Sequence, residues 1–358
     1  MNNNLKNSPI YNLSMCSFEN FHTNFLCWFL NLNIKEHIKI FDKKSDITNN
    51  SYIAKTQEKY KNLKFDIIIK HKNNTDYKYK YIIENKIKSY PNETQLKTYS
   101  KYMNKSKFIL LTFAPYKTDL KEWKILNYSD IKNSIKEIQK NTKFDIYTDS
   151  LIKDYINVLE NLITNFNAQK ENYKYNFYKN IKINKDLQII YIKYRTSSFA
   201  NYIKCKINDN NLNVETDFSH KQGIINISKI YKIYNLNFKI LVQIQGKQYR
   251  YAMICGNDNK KDERLKLAEE LMNKNLWFNK TQTIEYYPRA TYYYNKKTKP
   301  SNKNFCGYKN DFIYRYENLD NNTSYIDIVK KINDDFSQLK NNENNIIKIF
   351  KKYKNNII

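Results

Sequence analysis

Three ionisable residues stand in apolar company. Asp66 lies in "KFDIIIK", and Glu84 and Lys86 lie in "YIIENKI". Burying an unpaired charge costs several kcal/mol, so each of them needs a partner, a solvated face or a metal. In a strand, residues two apart share a face, which sends Glu84 and Lys86 one way and Ile83, Asn85 and Ile87 the other. If the neighbouring strand turns Asp66 to the first face, two carboxylates and an ammonium meet. Carboxylates so placed repel unless a cation lies between them, and hard oxygen ligands suit Mg²⁺, for which Mn²⁺ can substitute. Such an ion polarises a phosphate and lowers the pKa of a bound water. Lys86 beside that water orients it and stabilises the charge that develops in the transition state.

The acid-x-Lys triplet is cheap in a chain with 62 Lys and Arg. Asp42-Lys43-Lys44, Asp119-Leu120-Lys121 and Glu122-Trp123-Lys124 also match it. Taken by itself, the triplet fits a solvated edge strand or a cross-strand ion pair better than a catalytic site. What sets Glu84-Asn85-Lys86 apart is its surroundings, so the elements around it matter. "SFENFHTNFLCWFLNL", from Ser17 to about Leu32, repeats apolar residues at helical spacing with Glu19 in the first turn. A polar stretch without a clear period follows. "FDIII" and "KYIIENKI" then read as strands of a hairpin joined by the turn-forming "KHKNNTDYK". Pro91 introduces a helix, "NETQLKTYSKYM", with Leu96, Tyr99 and Met103 on one face; "KFILLTFAP" returns as a buried strand. "WKILNYSDIKNSIKEI" reads as strand then helix, and a long amphipathic helix spans about Asp145 to Phe166.

The polar run "NAQKENYK" marks a boundary and gives two domains, 1–168 and 169–358. The second contains a helix near 185–204, strands including "GIINISKIYKI" and "NFKILVQIQ", the helix "DERLKLAEELMNK", an exposed basic loop "TYYYNKKTKPSNK" and a short basic helix in "KIFKKYKNNII". The fold class is α/β, with a mixed central sheet flanked by helices and a C-terminal α/β or α+β region.

All four glycines fall after residue 220 without the spacing of a phosphate-binding loop, which argues against an NTPase or a dinucleotide enzyme. Five cysteines without a CxxC pair fit reduced thiols in a cytoplasmic protein, and four histidines without HExxH offer no zinc motif. No segment reads as a membrane span. A net charge of +27 suits a polyanion such as nucleic acid, although an AT-rich genome would also enrich Lys, Asn, Ile and Tyr. All five arginines, Arg195, Arg250, Arg264, Arg289 and Arg315, lie in the second half, which nominates that half as a basic docking surface.

Over residues 17 to 140 the order of helix with Glu19, strand with Asp66, strand with "ENK", helix with Gln95 and strand "FILLTF" resembles the PD-(D/E)XK nuclease superfamily, with its restriction-endonuclease-like fold. The resemblance implies that Asp66, Glu84 and Lys86 are catalytic, with the metal on Asp66, Glu84 and the backbone carbonyl of Asn85. It makes Glu19 the acid that some members supply from the N-terminal helix, and Gln95 the glutamine that some place after the motif. Phe65 stands where the family name has proline. The implied activity is Mg²⁺-dependent phosphodiester hydrolysis, with double-stranded DNA as partner, a role in defence against foreign DNA, and a homodimer allowed. The rival expectation is a nucleic-acid binding protein that keeps the fold and cleaves nothing. Plainer roles compete residue by residue: Glu19 as a helix-start acid, Gln95 as a surface residue, Tyr99 as core packing, His22 as a structural histidine, and "YKYKY" from Tyr77 as a half-buried strand with a wet lysine face.

Overall fold

The apolar period beginning near Ser17 folds into helix α1 (Phe18–Leu32), which buries Phe25, Leu26, Phe29 and Leu30. The computed structural model describes residues 10–11, 13, 18–73, 78–87, 91–114, 116, 118, 120–167, 185–219, 222–234, 236–255, 261–282, 304–308, 312–320 and 322–357. The chain divides into two compact units, Met1–Asn172 with Asn180–Asn201, and Tyr173–Lys179 with Tyr202–Ile358.

In the first unit α1 leads through the short helix α2 (Ile34–His37) to strand β1 (Tyr52–Tyr60). This strand lies within the stretch whose polar sequence shows no period. It is an edge strand in which only Ala54 is fully buried, so nothing forces an apolar pattern on it. A tight turn with Lys61 at φ +52° joins it to β2 (Leu63–His71). Left-handed backbone suits such a two-residue hairpin connection. The sheet continues through β3 (Tyr81–Lys86), β4 (Lys107–Thr112) and β5 (Trp123–Asn127) in the order β1-β2-β3-β4-β5. β1, β2 and β3 pair antiparallel, whereas β3, β4 and β5 pair parallel, which makes the sheet mixed.

Helix α3 (Glu93–Tyr102) makes the crossover between the parallel strands β3 and β4, and Asn92 caps it by accepting from the Gln95 N–H. Helices α4 (Tyr128–Asn141) and α5 (Ile146–Asn167) follow β5, and a capping box of Asn127 with Asp130 starts α4. The two faces of the sheet carry separate cores. Ile67, Ile69, Ile83 and Leu111 pack with α1, α4 and α5, whereas Ile68, Ile82 and Leu110 pack with Leu96 and Tyr99 of α3. Each fully buried Ile or Leu contributes about 1.5–3 kcal/mol. Together they fix which way every residue of β3 points.

Helix α6 (Lys185–Lys206) begins in the first unit, where Tyr191 and Tyr194 join the α1 core. The second unit is built on an antiparallel sheet of six strands in the order β10-β11-β9-β8-β7-β6. These are β6 (Asn213–Ser219), β7 (Gln222–Ile233), β8 (Leu236–Gln245), β9 (Gln248–Cys255), β10 (Cys306–Tyr308) and β11 (Phe312–Asn318). Helices α7 (Lys261–Asn273), α8 (Tyr325–Asn341) and α9 (Glu343–Ile357) complete it. Phe350 of α9 stacks on Phe238 at 4.4 Å, and Asp335 of α8 accepts from the Tyr249 hydroxyl at 2.6 Å. The chain is therefore mixed α/β, a five-stranded mixed sheet with helices followed by a separate antiparallel sheet with helices. Among the described residues no helix is long and apolar enough to cross a membrane.

The expectation of free arginine forks in the second half is corrected here. Arg264 and Arg315 are buried, and Arg315 donates to the carbonyls of Lys280, Gln282 and Asn304, so it holds its own unit together instead of offering a free fork. Arg250 donates to Gln243, Gln245 and Gln248. In "YKYKY" from Tyr77, Tyr79 and Tyr81 are both buried, in keeping with the half-buried reading of that run. Arg289 and "TYYYNKKTKPSNK" lie outside the described residues.

Candidate active site

β3 places its residues as alternation requires. Asn85 points to the α1 side, where its amide donates to the Thr23 hydroxyl at 2.9 Å and its carbonyl accepts from the Tyr128 hydroxyl at 2.9 Å. Glu84 and Lys86 therefore point to the α3 side. The last β2–β3 pair is Ile67 with Ile83, and one step further the same register sets Asp66 opposite Glu84. There the ladder ends. The Asn85 N–H, freed from a backbone partner, donates to Asp66 Oδ2 at 2.9 Å. Three residues from two strands thus converge where the strands part.

The three line one cleft of about 480 Å³ together with Gln95, Tyr99 and Gln57. Glu84 Oε1 takes the Lys86 ammonium at 2.7 Å and the Gln95 amide at 3.1 Å. Gln95 also donates to the Tyr99 hydroxyl at 2.6 Å, and that hydroxyl donates to the Lys64 carbonyl at 2.5 Å. Tyr99 is thus both core packing and cleft wall. Glu19, in the first turn of α1, accepts from the Ile87 N–H at 3.1 Å, which brings its carboxylate to the end of β3. His22 faces away from the cleft, buried against Tyr155 at 2.9 Å, and burial drives its pKa down to about 3. It stays neutral and structural.

Electrostatically the cleft is under tension. Burial, reinforced by the charge of Asp66, pushes Glu84 up to about 7 despite the adjacent ammonium. Burial also raises Asp66; the Asn85 N–H and Lys86 oppose this, and Glu19 adds to it. For Lys86, burial favours the neutral amine, yet Glu84, Asp66 and Glu19 outweigh it and hold the ammonium protonated above its usual range. Burial, then Glu84, lift Tyr99 to about 12, so it remains a hydroxyl. Burial is the largest cause for both acids, and one lysine does not offset it.

Glu84 Oε2 is buried and has no hydrogen-bond partner among the described residues. An orphaned carboxylate oxygen beside a second carboxylate is the pattern a cation would resolve. Among the described residues no group of three His, Cys, Asp or Glu gathers into a metal cage. Mg²⁺ does not require one, because it is commonly held by one or two carboxylates and completed by water and substrate phosphate. The donor set therefore fits a hard divalent ion.

Gln57 is the cleft residue that the sequence did not announce. It stands directly across from Asp66 in the β1–β2 register, at φ +55°, and donates to Asp66 Oδ1 at 3.3 Å. Left-handed backbone at a residue other than glycine costs about 1–2 kcal/mol. Its signal was hidden because β1 itself had no legible period. Asn20, Asn62, Lys64, Asn92, Thr94 and Thr98 line the remainder of the cleft with neutral hydrogen-bonding groups and one further cation. No family model, curated protein or solved structure matches this chain.

Proposed function

We propose that the first unit is a Mg²⁺-dependent nuclease that hydrolyses phosphodiester bonds in DNA. The observation that carries this reading is the meeting of Asp66, Glu84 and Lys86 in one cleft, with Glu84 Oε2 buried and unpartnered. The element order α1, β2, β3, α3, β4 supports placing the unit in the restriction-endonuclease-like fold. Asp66 and Glu84, with the backbone carbonyl of Asn85, would hold the ion, which when bound polarises the scissile phosphate and acidifies water.

The side chains have separable tasks. Lys86, kept charged by its acidic neighbours, places an ammonium where an attacking water is oriented and where negative charge grows on the phosphate. Gln95 restrains Glu84 Oε1 and leaves Oε2 for the ion. Glu19 adds negative potential at the end of β3, where it would support a second cation. Hydrolysis consumes one water, breaks one P–O bond and leaves a phosphate monoester and an alcohol. Defence against foreign DNA is the biological role that the family resemblance suggests.

Supercoiled plasmid incubated with the full chain and Mg²⁺ is expected to be nicked or linearised. EDTA should abolish this, and Asp66→Ala and Lys86→Ala should each slow it by at least about 100-fold. Salt-sensitive DNA binding with no metal-dependent product would instead establish a non-catalytic binding protein. Equal cleavage by all three proteins would remove the site from consideration.

A further inference from the structure

Four residues other than glycine have positive φ among the described residues: Gln57, Lys61, Tyr234 and Asn275. Three have an evident use. Lys61 turns the chain from β1 to β2, Tyr234 lies between β7 and β8, and Asn275 follows the end of α7. Gln57 lies inside β1 with the ladder in register on both sides, Thr56 against Ile67 and Glu58 against Phe65. No turn explains it. Across the break stands Asp66, and β2 loses its alternation at the same place, since Phe65 packs with Ile68 instead of with Ile67 and Ile69. Positive φ at a residue other than glycine persists only where its surroundings over-determine it.

We propose that Gln57 is a positioning residue for the metal-binding carboxylate: its left-handed backbone opens the β1–β2 ladder at Asp66, and its amide and the Asn85 N–H hold that carboxylate for the cation. This rests on the nuclease reading above. The two donors address different oxygens, Gln57 on Oδ1 and the Asn85 N–H on Oδ2. A carboxylate oxygen has about two lone-pair sites, so each oxygen keeps one for a metal. Both donors are neutral. A lysine at position 57 would orient Asp66 equally well but would compete with the cation for its charge. A glycine there would adopt the same backbone without strain and leave Oδ1 without its donor. The strain is thus tied to the side chain that comes with it.

The test compares the full chain with Gln57→Gly and Gln57→Leu, using Mn²⁺ titration calorimetry and thermal unfolding, with Asp66→Ala as reference. Loss of an outer-shell partner typically costs 10–100-fold in metal affinity. Gln57→Gly should therefore bind Mn²⁺ at least tenfold more weakly while its Tm stays level or rises, and Gln57→Leu should lose affinity and Tm together. Unchanged Mn²⁺ affinity in Gln57→Gly, beside clear binding by the parent and none by Asp66→Ala, overturns the role of Gln57 alone. A Tm of Gln57→Gly that falls with its affinity also overturns it, because Gln57 would then be a general structural residue. Equal Mn²⁺ binding, or none, by parent and Asp66→Ala overturns the metal-site reading itself and this proposal with it.

Discussion

At Glu84 the demands of folding and of ligand binding oppose each other. Its carboxyl is buried beside Asp66, and its raised pKa means that the folded chain holds a proton there which the unfolded chain would release. Between the ordinary carboxyl range and about 7 the folded state therefore binds more protons than the unfolded, and the contribution of this residue to stability falls as pH rises through that window. Glu84→Gln removes the titration. In EDTA the variant should match or trail the parent near pH 4.5 and gain on it as pH rises, by about 3 kcal/mol near pH 8. The attraction of Lys86 is already contained in the raised Glu84 value. Urea unfolding of both proteins at several pH values checks this, and a constant difference would show that Glu84 is not strained. His22 works the other way: refused a proton in the fold, it lowers stability as pH falls below about 6.5. It is common to both proteins and cancels.

At the scale of elements, β3 is the part on which the site depends. One face is held by the α3 core, and the other is pinned by Asn85 through Thr23 and Tyr128. Tyr128→Phe leaves the buried Asn85 carbonyl without a donor, and it should lower stability by about 1–2 kcal/mol with little change in volume. Equilibrium denaturation measures it; a neutral result would mean that Asn85 has another partner in solution. Much of this layout was legible. The runs "FDIII" and "YIIENKI" have apolar residues on both faces, so alternation alone set Glu84 and Lys86 together and Asn85 opposite. The interruption at Gln57 was not legible, because β1 is a half-exposed edge strand whose polar sequence gives no period. Helix α8 was likewise missed although its apolar stripe, Ile328, Val329, Ile332, Phe336 and Leu339, is regular and buried. The arginines misled for a different reason: sequence counts charges and not burial, and Arg264 and Arg315 are interior.

For the whole molecule, the net charge of +27 now rests on lysine more than on arginine forks. Lysine supplies point cations that favour a polyanion without dictating geometry. Under the proposed nuclease reading such a chain would gather its partner by charge and leave selectivity to the cleft, where carboxamides and hydroxyls surround the two acids. The central claim is that those two acids share one divalent ion. Crystals of the full chain soaked in Mn²⁺ and measured at the manganese absorption edge test this directly. An anomalous peak in contact with both the Asp66 and Glu84 carboxylates is expected; a peak bound by neither, or none in the cleft at saturating Mn²⁺, would exclude a shared ion.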